Sequence, residues 1–325
     1  MSCSKDNEQI TVTASVFVFA PATGYYYPGN QVVSSISIKN AGNVRLKYWM
    51  SCTVKDKLGK WYDIPVDTIS LNPGEVQDSI NLVWIIPTSA PIISGAYTVR
   101  MAVWNNNPSD ANSTRLDNIE AVDAFSAFNF LETFDKPDSN YWTVINKPTP
   151  GYGQFRPENI IINGGLLSIL YPKNTKDGGE LKSVTSKTNK YGTFRTKIKT
   201  PSQLPGTYST LFLYNETTLD EIDIEIWNDG SKKVNLTTWV NEIQKYSKSA
   251  ILNFDPSAQF HEYRIDYYPD EISFWIDNIK AGSTNILSEI PKSDMFIYIN
   301  GWWPKWMTSA PAVIDKYAVY DWIQY

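Results

Sequence analysis

Between Leu219 and Trp227 the chain reads Leu-Asp-Glu-Ile-Asp-Ile-Glu-Ile-Trp, and this stretch leaves little choice of conformation. Glu221, Asp223 and Glu225 alternate with Ile222, Ile224 and Ile226, which is the period of a β-strand. On a strand, three carboxyls then share one face and three isoleucines the other. The isoleucines need a second layer to bury them. The carboxyls have no Lys or Arg between them, so repulsion and burial raise the pKa of at least one, a property suited to proton donation. As a purely structural feature the same row would be an acidic edge strand that discourages sheet-to-sheet association.

Glycoside hydrolysis fits this arrangement. A retaining mechanism needs two carboxyls roughly 5–5.5 Å apart, one as nucleophile and one as general acid and then base. The Cα atoms of Glu221 and Glu225 are about 13 Å apart along a strand. A curved sheet with the acids on its concave face lets the long side chains lean together. Asp223 between them can hold a shared proton and separate the two titrations.

Glu221-Ile222-Asp223-Ile224-Glu225 resembles the active-site signature of glycoside hydrolase family 16, the family of bacterial lichenases and plant xyloglucan transglycosylases. The resemblance implies Glu221 as nucleophile, Asp223 as assisting acid and Glu225 as acid/base. It extends over the second part of the chain. Phe130 to Asp135 with Tyr141-Trp142 looks like the opening strand. Phe155 to Asn159 matches a segment that contributes Arg156 and Asn159, and Gly178 to Ser183 matches a strand whose Glu180 binds sugar hydroxyls. Ser209 to Tyr214 matches the strand that lines the cleft with Phe212 and Tyr214. Val234 to Asn241 matches one with an aromatic on the leaving-group side, here Trp239. Asn300-Gly301-Trp302 matches an Asn-x-Trp element facing the cleft, so Asn300 and Trp302 join the expected substrate-binding set. Tyr191 to Lys199 and Tyr320 to Tyr325 match supporting and closing strands, and His261 is read as structural.

The chain departs from the lichenase pattern in three places. Lys182 stands where lichenases usually carry Arg, which loses the bidentate fork. Leu219 replaces a Trp, so stacking at the scissile sugar falls to Trp227, Trp302 or Trp303. Thr237 stands where an Asn lies near the cleft. No extra residue separates Asp223 from Glu225, which resembles the lichenase and xyloglucan branch rather than enzymes with a bulge there.

Composition supports carbohydrate chemistry and excludes much else. One histidine, His261, rules out a Ser-His-Asp triad and any multi-His metal site. A net charge of −5 without a basic patch argues against a nucleic-acid partner. Twelve Trp and 20 Tyr exceed what core packing asks for, and flat rings stack on sugars. No cofactor is expected; a structural Ca²⁺ would not be visible in the sequence. A Ca²⁺-bound lectin would gather oxygens from loops rather than from one strand face.

Two all-β domains are expected: an immunoglobulin-like β-sandwich over residues 10–123, including its linker, and a curved two-sheet β-jelly roll over 124–325. The first reads as short strands around turns at Pro28-Gly29, Asn40-Ala41-Gly42, Asp56 to Lys60 and Asn72-Pro73-Gly74, with Asn105 to Asp123 as loop and hinge. It is expected to space the second domain, with carbohydrate binding as the alternative. Residues 1–9 read as a flexible tail. Cys3 followed by Ser4-Lys5-Asp6 resembles the mature start of a bacterial lipoprotein, which implies lipidation at Cys3 and a place on the cell surface or outer membrane.

The expected activity is that of a monomeric, retaining endo-β-glucanase on mixed β-1,3/1,4-glucan, with a mildly acidic optimum. The alternatives are a transglycosylase or hydrolase on xyloglucan, laminarin or an algal galactan, or a non-catalytic glycan-binding surface protein. A pure adhesion module would have no use for the repelling triad.

Overall fold

A computed structural model describes residues 10–137, 139–184 and 189–325, the side chains of residues 17 and 18 excepted. The expectations for Cys3 and the tail lie outside the described residues. Two compact units meet in sequence between Asn129 and Phe130. Among the described residues no helix is long and apolar enough to cross a membrane.

The first unit has two sheets over one core. Ala14–Ala20, Gln31–Asn40 and Val76–Ile85 make a three-stranded sheet with Gln31–Asn40 in the middle. The five-stranded sheet runs Tyr25–Tyr26, Arg115–Ala127, Gly95–Trp104, Leu46–Lys55, Trp61–Leu71. Alternation decides which side faces in: Tyr48, Met50, Cys52 and Val54 are buried while their neighbours are half-exposed. They meet Ile36, Ile38, Leu82 and Trp84 of the other sheet. The turn at residues 56–60 is held by Asp56 Oδ1, which accepts from the backbone N–H of Leu58 and Lys60, both at 2.9 Å.

One segment departs from the sequence reading. Residues 115–123 are not hinge but the first part of strand Arg115–Ala127, paired along its length with Gly95–Trp104. Asn, Asp and Glu along it gave turn and loop signals, and long-range pairing overrides them. Phe125 and Ala127 of this strand lie in the first unit's core, so the unit ends beyond Ala124.

The second unit stacks a seven-stranded antiparallel sheet on an eight-stranded one. The seven-stranded sheet runs Trp142–Val144, Gly179–Ser183, Phe296–Trp302, Tyr208–Asn215, Asp220–Trp227, Lys233–Val240, Ile243–Ile251. Ile222, Ile224 and Ile226 are fully buried between the sheets, among Leu211, Leu213, Leu236, Phe194 and Ile265. Each such side chain contributes about 1.5–3 kcal/mol of burial, an upper figure because the unfolded chain is itself partly collapsed. The isoleucine face therefore fixes which way the acid strand turns. A slip of one residue would put the carboxyls into this core. His261 lies in the other sheet, buried, with Nδ1 2.6 Å from Asp277 Oδ2 and its ring stacked on Phe254.

Candidate active site

Strand register turns the outward face of the seven-stranded sheet into three rows that cross the strands. Through Glu225 the row reads Glu180, Asn300, Thr210, Glu225, Asn235, Ser249. Through Asp223 it reads Lys182, Tyr298, Phe212, Asp223, Thr237, Ser247, and through Glu221 it reads Phe296, Tyr214, Glu221, Trp239, Gln244. The acid strand keeps continuous register with both neighbours, so no bulge separates the acids. A cleft of about 1010 Å³ runs over these rows. Tyr208, Trp227, Trp302 and Trp306 form a further aromatic side. Trp306 is 66% exposed and stands edge-on to Trp302 at 5.4 Å.

Each acid has its own surroundings. Asp223 Oδ2 accepts from Thr237 Oγ1 and, at 3.0 Å, from Trp239 Nε1. Both donors favour its charged form, but burial outweighs them and lifts its pKa to about 6. Burial also raises Glu221 well above the ordinary carboxylate range, with the Asp223 charge and a hydrogen bond between the two adding to it. Glu225 is lifted to about 8, by burial first and by Asp223 second, with Asn235 opposing as a hydrogen-bond donor. The three carboxyls therefore keep protons among them at neutral pH. Such a set can supply a carboxylate and a carboxylic acid side by side.

The fourth acid, Asp220, points to the opposite face. It accepts from Ser293 Oγ at 2.6 Å and from the backbone N–H of Asn241 at 3.1 Å, and so anchors the start of the strand.

Six of the eight expected substrate-binding residues come together on the cleft: Glu180, Phe212, Tyr214, Trp239, Asn300 and Trp302. They are braced against one another. Thr210 Oγ1 donates to Asn300 Oδ1 at 2.7 Å, and Asn300 Nδ2 donates to Glu180 Oε2 at 3.0 Å. Phe212 stacks on Tyr298 at 4.8 Å. Arg156 and Asn159 are outside the lining. Arg156 pairs with Asp177 at 2.8 Å, and buried Asn159 donates to Gly178 O at 2.8 Å. They fasten the peptide before the strand that carries Glu180. Lys182 pairs with Glu216 at 2.6 Å, and Lys147 is the cation facing Glu180, at 3.8 Å. Of the three rings offered as substitutes for the missing Trp at 219, Trp227 and Trp302 line the cleft, whereas Trp303 is 1% exposed in the core.

Sequence reasoning passed over Lys147 to Pro150, Tyr208, Asn235, Glu242, Gln244, Ser247, Ser249, Tyr298 and Trp306 on this lining. Tyr208, Asn235 and Tyr298 stand at two-residue steps from expected cleft residues on their own strands and carried a local signal; the others reach the cleft through pairing or loops that no local pattern marks. Among the described residues no group of three or more His, Cys, Asp or Glu is placed to hold a metal ion.

Comparison with known proteins bears on the same half of the chain. The family profile of the glycosyl hydrolases family 16 matches residues 152–324. A β-glucanase of Paenibacillus polymyxa is 31% identical over 218 residues, which cover 63% of this chain and 90% of that protein. A β-glucanase of Bacillus subtilis is 29% identical, over 60% of this chain and 85% of its own length. The structure is similar to that of a Bacillus licheniformis β-glucanase, with a TM-score of 0.56, 26% identity and coverage of 60% of this chain and 96% of the other. A β-1,3-1,4-glucanase (lichenase) from a mouse hindgut metagenome gives 0.55 at 25% identity, over 60% of this chain and 97% of that one.

Proposed function

The chain belongs to family 16 of the glycosyl hydrolases, enzymes that hydrolyse O-glycosyl bonds, and from this premise we propose that it is a retaining endo-β-glucanase acting on mixed-linkage β-1,3/1,4-glucan. The observation that carries the reading is the row Glu221, Asp223, Glu225 in the middle of an open cleft wide enough for several sugar units. The polymer is suggested by the similarity to the lichenase and the β-glucanases.

In the proposed reaction Glu221 attacks the anomeric carbon while Glu225 gives its proton to the departing glycosidic oxygen. The C–O bond to the leaving chain breaks, and an ester to Glu221 forms. The proton that Glu221 shares with Asp223 passes to Asp223 as the ester forms, which frees the Glu221 carboxylate to attack, and it returns when Glu221 is released. Glu225, now charged, takes a proton from water, which displaces Glu221 and restores the original configuration. Tyr214, Phe212 and Trp302 offer ring faces to sugars on one side of the acids, with Trp239 on the other and Tyr298 packed behind Phe212. The first unit is proposed as an immunoglobulin-like spacer and Cys3 as its lipid attachment at a bacterial cell surface.

The test is the product profile on lichenan, laminarin, xyloglucan and agarose side by side, with the anomeric configuration of the first product followed by NMR. Oligosaccharides of β configuration from lichenan are expected. A first product of inverted configuration would end the assignment of Glu221 as nucleophile, and preferential cleavage of another polymer would replace the proposed substrate.

A further inference from the structure

Three two-residue hairpin turns among the described residues of the second unit place both turn residues at positive φ. Gly164 and Gly165 (φ 59° and 73°) join Ile160–Asn163 to Leu166–Tyr171. Asp277 and Asn278 (φ 47° and 62°) join Ile272–Ile276 to Ile279–Thr284. Asn241 and Glu242 (φ 51° and 66°) join Lys233–Val240 to Ile243–Ile251. Such turns match the twist of the flanking strands and favour Asn, Asp and Gly, because other side chains crowd the backbone in the left-handed region. The first two obey this preference. The third places Glu where Gly would be free of strain, and of these turn residues it is Glu242 that lines the cleft.

The strain is held in place from the acid strand. The Asn241 N–H donates to Asp220 Oδ1 at 3.1 Å, and the Glu242 N–H donates to Leu219 O at 3.0 Å. The turn is thus fastened to the two residues before Glu221. Asp220 is itself 5% exposed, so this anchor is not shared with solvent. The side chain of Glu242 joins Trp239 and Gln244 in the lining, and its charge adds to burial, Glu221 and Glu216 in holding the Tyr214 phenol protonated. The indole of Trp239 is fixed by its bond to Asp223. A fixed ring face, an amide and a carboxylate make a pocket for one sugar unit: the ring stacks, and the carboxylate accepts from neighbouring hydroxyls.

We propose that Glu242 is a substrate-binding residue that accepts hydrogen bonds from hydroxyls of a neutral sugar seated against Trp239, and that the strained turn is kept for this purpose. The proposal rests on the cleft being a glycan site. It also names the substrate's charge class: Glu242 adds a carboxylate to a lining that already carries Glu180, Glu221, Asp223 and Glu225, which disfavours uronic or sulfated sugars.

The experiment uses the full chain with Glu242→Gly and Glu242→Gln, read by melting temperature, by kcat and KM on soluble mixed-linkage glucan, and by affinity electrophoresis of each substitution combined with Glu221→Ala. Glu242→Gly relieves the turn and removes the carboxylate. It should melt at or slightly above the parent, by up to about 3 °C, while KM rises about tenfold and kcat changes less than twofold. The inactive pair should show the same loss of retardation. Glu242→Gln keeps an acceptor and should recover most of the affinity. A Gly variant that melts higher with KM and retardation unchanged would overturn the binding role. A Gly variant that melts lower would overturn the strain. If the unmodified enzyme cleaves no β-glucan, the proposed activity fails; retardation by the glucan gel still decides the role of Glu242.

Discussion

Glu221 and Glu225 lie two positions either side of the buried Asp223 and are themselves half-buried, yet the chemistry asks opposite protonation states of them. Asp223 makes the difference, because its bond to Glu221 lets one proton serve two carboxyls while Glu225 keeps its own. Glu221→Ala is expected to lower hydrolysis of every substrate by several orders of magnitude. Glu225→Ala should lower it far less on an aryl glycoside whose leaving group departs unaided. Azide added to Glu221→Ala should give an α-glycosyl azide, and added to Glu225→Ala a β-glycosyl azide. The same product from both would refute the assignment. Asp223→Asn should cost less than either. The pH profile should be a bell. Activity requires a protonated Glu225, so it falls as pH rises through about 8, and the acidic limb follows the Glu221–Asp223 pair, with Asp223 near 6. The expected optimum lies between these limbs, closer to neutrality than the mildly acidic one expected from the sequence. A rate still climbing at pH 9 would contradict a carboxylic acid donor.

The acid strand as an element trades stability for reactivity. Ile222, Ile224 and Ile226 hold it by burial, while its other face carries carboxyls that would each be better solvated in the unfolded chain. Glu225 titrates at about 8 when folded and near 4.3 when unfolded, so the folded state binds the extra proton between those values. Its stabilising effect is complete below the unfolded pKa and is lost as pH rises through the folded one. Glu225→Gln has no such proton to lose. It should melt about 4–8 °C above the parent at pH 9 and alike at pH 4, measured by calorimetry; an equal difference at both would show that the carboxyl is not held protonated. The alternation that sets this strand is local, which is why it was legible in the sequence, as were Phe212 and Tyr214, whose parity opposes the core residues Leu211 and Leu213. The rows across the sheet were not legible, since Ser249 reaches Asn235 and Asn235 reaches Glu225 only through register set by long-range pairing. Where Arg156 and Asn159 stand was not legible for a related reason: a polar side chain near a cleft strand can serve that strand's backbone as well as a ligand, and sequence does not separate the two.

At the scale of the whole chain, the division between Asn129 and Phe130 makes a sharper prediction than a boundary at Ala124. The N–H of Phe130 donates to Tyr325 O at 2.8 Å, the N–H of Tyr325 donates back to Phe130 O at 3.1 Å, and the Phe130 ring stacks on Tyr141 at 4.0 Å. Phe130 is therefore part of the second unit, where it pairs with the residue after strand Lys316–Gln324. Phe125 and Phe128 belong to the first: both are at most 2% exposed, Phe125 within its core and Phe128 edge-on to Tyr25. A protein beginning at Asn129 keeps every residue of the cleft and exposes neither of these rings. Its kcat/KM on soluble β-glucan should stay within about twofold of the full chain, since the acids and their partners lie wholly in the second unit. A protein beginning at Ala124 should be as active per folded molecule, but it leaves Phe125 and Phe128 without their partners and should associate at concentrations where the shorter one stays monomeric. Light scattering alongside the assay separates these outcomes. Loss of activity in a monomeric, cooperatively melting protein that begins at Asn129 would mean that the first unit takes part in the reaction, and the spacer role proposed for it would fall.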